Sequence, residues 1–123
     1  AFQKGLGAMH ALAHPIGAIH HTHHGTTNAV VMRKVVEFNR EAIETKIISL
    51  ARYLDIPGKF EGFCDFISET NQALGIPKTL TDLGVQDPNI DRLVRDALAD
   101  PSCGGNPIEM TESNTRKLIE DCL

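Results

Sequence analysis

The sequence predicts an all-α chain, a bundle of about six helices, and three observations carry that prediction. Apolar residues recur at helical spacing almost throughout its 123 residues. No segment sustains the strict alternation of a half-buried strand. Glycine and proline close the periodic stretches, at Pro15, Gly25, Pro57-Gly58, Gly75 with Pro77, and the Pro101 to Pro107 segment. A chain of this length fits one domain, residues 1–123, able to bury roughly two-thirds of its unfolded surface.

The elements follow in order. Residues 2 to 14 read as a first helix despite Gly5 and Gly7, each of which costs about 1 kcal/mol against alanine in a helix interior. Close packing of another backbone would require them there. Pro15 disfavours helical geometry at His14, so the helix is expected to stop and residues 15 to 25 to form a loop. A second helix should start near Thr26 or Thr27, both good caps, with Val30, Val31, Val35 and Phe38 as its apolar stripe. Ala42 to Leu54 form a third, with Ile43, Ile47, Leu50, Ala51 and Leu54 on one face. Phe60, Phe63, Ile67 and Leu74 mark a fourth, Leu80 to Gly84 a short turn-like piece, and Ile90 to Ala99 a fifth. Pro101 to Pro107 is a loop, and the last helix begins near Glu112 with Thr111 as its cap.

Composition excludes several classes of function. A net charge of −4 with signs scattered along the chain argues against nucleic-acid or other polyanion binding. No apolar run approaches the roughly 20 residues needed to cross a bilayer, and no secretory signal is seen, so a cytoplasmic protein is expected. Cys64, Cys103 and Cys122 are odd in number and lack C-x-x-C spacing, which suits reduced thiols. Cys64 shares an apolar face with Phe60, Phe63 and Ile67 and reads as a core thiol. Cys103-Gly104-Gly105-Asn106 follows no strand and reads as a tight turn rather than a phosphate cradle.

Histidine is the anomaly. All six, His10, His14, His20, His21, His23 and His24, fall within 15 residues. His10 and His14 lie four apart on a predicted helix, so both rings leave one face, a spacing that suits two nitrogens on one divalent ion. Position 11 is alanine, so this is not the H-E-x-x-H protease motif. His24 precedes a helix N-terminus whose partial positive charge opposes protonation, and the neutral ring is the form that binds metal. It is the third candidate ligand. A lone helical histidine is usually a polar surface residue, but six so close together favour ligation. An expression tag is argued against by Ala18-Ile19 and Thr22, which interrupt the run. His20, His21 and His23 are assigned to solvent. No Asp or Glu accompanies the segment, so the chain shows no complete metal shell of its own. A non-enzymatic, histidine-rich metal-binding helical module is the alternative reading, and a purely structural helical domain is a third.

At these residues the sequence resembles the iron-containing alcohol dehydrogenases, whose helical domain is of the dehydroquinate synthase type. The stretches Gly7-Ala8-Met9-His10-Ala11-Leu12-Ala13-His14-Pro15-Ile16-Gly17-Ala18 and His23-His24-Gly25-Thr26-Thr27-Asn28-Ala29-Val30 look like the family's metal-site signature. Phe38-Asn39, Gly75-Ile76-Pro77, Leu83-Gly84-Val85 and Gly104-Gly105-Asn106-Pro107 match later landmarks in order. Arg33, where the family often has proline, and Ile108, where it often has arginine after Asn-Pro, depart from the pattern.

The resemblance implies the C-terminal helical part of a two-domain enzyme whose N-terminal α/β domain binds NAD or NADP. It implies four metal ligands, an aspartate and a histidine on an earlier helix and two histidines that align with His10 and His24. The residue aligning with His14 stands beside the nicotinamide, in a catalytic and cofactor-contacting role, rather than on the metal. The metal would be Fe(II), with Zn(II) also able to fill such a site. The substrate would be a small alcohol or aldehyde, exchanged by hydride transfer. The chain begins Ala1-Phe2-Gln3-Lys4 without Met, as if cut within a longer sequence. With two of four ligands it is expected to be inactive alone and to associate with the missing N-terminal part or with itself.

Overall fold

The computed structural model describes residues 7–123. Among them the chain is all-α: α1 (Gly7–His20), α2 (His24–Phe38), α3 (Arg40–Tyr53), α4 (Lys59–Ala73), the single turn α5 (Leu80–Leu83), α6 (Ile90–Ala99), a 3-10 helix (Pro101–Gly105) and α7 (Glu112–Cys122). The expected start of the first helix at residue 2, with Gly5, lies outside the described residues. None of these helices is long and apolar enough to cross a membrane. The expected third, fourth and fifth helices are α3, α4 and α6, and the turn-like piece is α5.

One core serves all the elements. α1 packs against α2, α6 and the 3-10 helix, α2 reaches α4 and α7, α6 lies along α7, and α3 and α4 form a hairpin. The apolar stripes are those of the sequence: Val30, Val31 and Val35 on α2, Ile43, Ile47 and Ala51 on α3, Phe60, Phe63, Cys64 and Ile67 on α4, and Leu93, Val94 and Ala97 on α6. Leu54 and Leu74 depart from the expected stripes. Each caps the C-terminus of its helix and points outward, 49% and 71% exposed. Periodicity cannot see where the last helical turn stops.

The largest correction is at Pro15. The helix does not end there but runs on to His20. An interior proline costs about 3 kcal/mol, because it lacks an N–H and crowds the carbonyl four residues back. Helical continuation, however, buries Pro15 and places Ile16 fully in the core, with Ile19 packed against it. Burying Ile16 contributes roughly 1.5–3 kcal/mol, and together with Pro15 and the partly buried Ile19 this offsets the proline. The helix then breaks at His21, which takes a left-handed φ of 57° while its N–H still bonds the Gly17 carbonyl at 2.9 Å.

The connector to α2 is thereby three residues, His21 to His23, rather than the expected loop of 15 to 25. Neither Thr26 nor Thr27 is the cap. His23 takes that place, its ring Nδ1 accepting from the Thr26 N–H at 3.3 Å. Thr27, fully buried, donates to the His23 carbonyl at 2.8 Å and so ties the first turn from inside. The helix starts early because an imidazole nitrogen can do what a hydroxyl usually does. Thr111 caps α7 as expected, in a reciprocal box with Asn114. The Pro101 to Pro107 loop is in part the 3-10 helix, capped by Asp100, whose Oδ1 accepts from the Ser102 N–H at 2.8 Å.

A pair of amides closes the bundle. Asn39, fully buried between α2 and α3, donates to Asn106 Oδ1 at 2.9 Å and accepts from Asn106 Nδ2 at 2.8 Å. Asn39 also donates to the Val35 carbonyl and accepts from the Ile108 N–H, while Asn106 Oδ1 accepts from the Ala8 N–H at 3.3 Å. Three distant segments meet at these two side chains. Gly7 shows how close the meeting is: a Cβ there would lie 1.8 Å from the Ser102 carbonyl oxygen. That is the close backbone approach expected at Gly7.

Asn39→Ala should therefore cost about 2 kcal/mol, because half-buried donors and acceptors on Asn106 and Ile108 lose their partner. Urea unfolding measures it. The thiols supply a pH signature. Burial pushes Cys64 up to about 11, with Glu37 adding to the shift, and pushes Cys122 up to about 12. Raised folded values mean that the neutral thiols stabilise fully below the ordinary value of 9.0, and that this stability is lost as pH rises through 11 and 12. Native alkylation near pH 8, read by mass spectrometry, should mark the half-buried Cys103 first and reach Cys64 and Cys122 only on unfolding.

Candidate metal centre

The α1–α2 corner places three of the six histidines together. His10 and His14 sit one turn apart on α1, and His24 stands in the first turn of α2, brought opposite them by the short connector. The ring centroids are 5.9 Å apart for His10–His14, 5.6 Å for His10–His24 and 5.4 Å for His14–His24. One nitrogen from each lies within 4.8 Å of the others. Two nitrogens on a tetrahedral ion stand about 3.4 Å apart, so small ring rotations separate this arrangement from coordination. His10 is half-buried and the other two are exposed, leaving one side of the cluster open.

The chemistry of the donors suits a divalent cation. Burial lowers the pKa of His24, and the like charges that His14, His10 and His23 would carry lower it further. Its ring is thereby favoured in the neutral state that ligates metal. Asn28, one turn along α2 and nearly buried, holds the ring through its side-chain amide, 3.2 Å from His24 Nε2.

His14 is held differently. Its Nδ1 lies 2.7 Å from Asp100 Oδ2, a carboxylate 86 residues away in sequence that follows α6. The Asp100 side chain is 11% exposed, against 49% for His14. Burial alone would push the Asp100 carboxyl up, but hydrogen bonds from His14 and Ser102 outweigh it and hold the carboxyl below its ordinary value. No acid lies in the histidine segment, as the sequence reads, and none is among the three clustered donors, yet a distant carboxylate reaches one of the rings. The acid is present, but long-range packing supplies it, and no local spacing could have revealed it.

The other three histidines divide. His21 is exposed as expected. His20 is half-buried, its Nε2 enclosed without a partner among the described residues, and His23, although exposed, is the α2 cap.

A family model described as "Fe-containing alcohol dehydrogenase family, C-terminal" matches residues 2–123. The chain belongs to this family. It is 33% identical over 132 residues to 4-hydroxybutyrate dehydrogenase of Cupriavidus necator, covering all of this chain and 34% of that protein. It is 35% identical over 116 residues to lactaldehyde reductase of Escherichia coli K12, covering 87% of this chain and 30% of that one. The crystal structure of a 1,3-propanediol oxidoreductase superposes with a TM-score of 0.87 at 27% identity, over 94% of this chain and 32% of that chain. The chain thus spans about a third of the length of the Fe-containing alcohol dehydrogenases it matches. These relatives are oxidoreductases by their names, and the all-α architecture of this chain is shared by the 1,3-propanediol oxidoreductase over the matched region.

Proposed function

We propose that this chain is the metal-binding helical portion of an NAD- or NADP-linked alcohol dehydrogenase that interconverts a small alcohol with its aldehyde or ketone by hydride transfer. One observation carries the reading. A chain of the Fe-containing alcohol dehydrogenase family folds so that His10, His14 and His24 converge, with nitrogens within 4.8 Å, at an open corner. The printed activities of the relatives, on 4-hydroxybutyrate and lactaldehyde among others, support alcohol–carbonyl chemistry without selecting a substrate.

In this reading His10 and His24 hold the divalent ion, Fe(II) in the native state, with Zn(II) able to replace it because imidazole suits both. The remaining ligands come from sequence outside this chain, as does the nucleotide-binding part. When bound, the ion supplies Lewis acidity toward the alcohol oxygen and the nicotinamide supplies the hydride acceptor. This chain's own groups do the positioning. His24 presents a neutral nitrogen, steadied by Asn28. His14, with Nδ1 turned to Asp100, offers Nε2 beside the cofactor, to orient the nicotinamide or carry a proton. Three unpaired thiols suit a cytoplasmic setting.

Two measurements test the reading. The 123-residue chain, loaded with Fe(II) or Zn(II) and given NAD or NADP with a panel of alcohols, should show no turnover above background; clear turnover would overturn the two-part enzyme. Co(II) titration followed by its visible ligand-field bands should show weak binding that falls at least about tenfold in His10→Ala and in His24→Ala and changes little in His14→Ala. Equal losses in all three variants would mean a self-contained three-histidine site.

A further inference from the structure

We propose that Asp100 is a positioning residue for His14: through its carboxylate it selects the Nδ1–H tautomer, leaving the Nε2 lone pair turned to the shared site. This deepens the proposed function and takes from it only what Nε2 meets there.

The geometry is specific. Asp100 follows the last turn of α6 and begins the 3-10 helix, and its two oxygens have different duties. Oδ1 accepts from the Ser102 N–H at 2.8 Å, and Oδ2 faces His14 Nδ1 at 2.7 Å. An ionised carboxylate only accepts hydrogen bonds. The Nδ1 opposite it must then carry the proton, which in a neutral ring leaves Nε2 bare. A free imidazole prefers the opposite tautomer, with the proton on Nε2. The carboxylate is nearly enclosed, so solvent competes little for Oδ2. Its backbone is also fixed, because the Gly7 contact with Ser102 and the Asn106 bond to Ala8 press the 3-10 helix onto α1. The same packing that closes the bundle aims Oδ2 at His14.

The consequence is directional. With Nε2 unprotonated, His14 meets a nicotinamide amide or a substrate hydroxyl as an acceptor. With Nε2 protonated it could only donate. The tautomer decides which half of proton exchange His14 can begin.

Asp100→Asn is a close test because it is nearly isosteric. Its carbonyl can keep the bond to the Ser102 N–H, while its amide nitrogen, placed where Oδ2 was, would donate to Nδ1 and drive the proton to Nε2. Two-bond proton–nitrogen NMR spectra of the metal-free chain, near pH 8.5 where histidines are neutral, should show His14 as the Nδ1–H form by at least about tenfold, the bias expected of a hydrogen bond to a charged acceptor. Asp100→Asn should invert His14 to Nε2–H, with the His10 and His24 tautomers and the thermal midpoint little changed. A wild-type His14 in the Nε2–H form, or a variant that keeps Nδ1–H, would overturn the proposal. The wild-type spectrum is decisive even if the variant fails to fold. Because no metal or cofactor is present in this measurement, its failure is distinct from failure of the Co(II) titrations.

Discussion

The reciprocal amide pair of Asn39 and Asn106 binds the end of α2 to a segment 67 residues further on, and the histidine corner depends on it. Each amide uses both its donor and its acceptor on the other, and Asn106 reaches Ala8 at the start of α1. A surface hydrogen bond of this kind would add about 1 kcal/mol. Half-buried here, it matters more for what its loss would leave unpaired, since water can replace a protein partner only in part. With α1 pinned at Ala8, the 3-10 helix lies against its first turn, where Gly7 leaves room for the Ser102 carbonyl. Six residues along α1, at about 1.5 Å per residue, His14 comes level with Asp100. The His14–Asp100 contact is thus set by a purely structural node one end of the helix away.

The other constraint is the α1–α2 corner. Three residues must reverse the chain and set His24 opposite His10, and the sequence meets this with an α1 that continues through proline and a left-handed His21. A helix ending at His14 would have left a longer, polar connector and exposed Ile16, which is now fully buried. Hydrophobic burial and the geometry of the site pull in the same direction. An interior proline and His21, one of four non-glycine residues with positive φ among those described, both lie in the histidine segment, where a tight reversal is needed.

The helices were legible because their signals are local. The stripes of α2, α3, α4 and α6 and the Thr111 cap of α7 can be read within a few turns. The candidate residues His10, His14 and His24 were legible for a related reason, since all lie within one short segment. What escaped reading was of two kinds. At Pro15 and His23 a local rule was outweighed by tertiary burial and by an unusual capping group. Asp100 escaped because its partner is defined by packing. Asp100 precedes a proline and caps a turn, and nothing in Asp100-Pro101-Ser102 announces a histidine 86 residues earlier. Asn28 sits one turn from His24, so helical spacing alone could have flagged it.

The six histidines look interchangeable as composition, and their partners are what separate them. His23 is spent on a helix cap, His24 is steadied by an amide, and His14 is tied to a carboxylate. These are different chemical commitments. An amide steadies a ring without adding a charge, whereas a carboxylate fixes both the orientation and the tautomer of the ring. Structural metal sites are closed by four protein ligands, while sites that act on substrates keep a position open. Here two of the three rings face outward and the acid that orders one of them is buried behind it. Order is built on the inner side and access is left on the outer one, so that anything meeting these rings approaches from solvent.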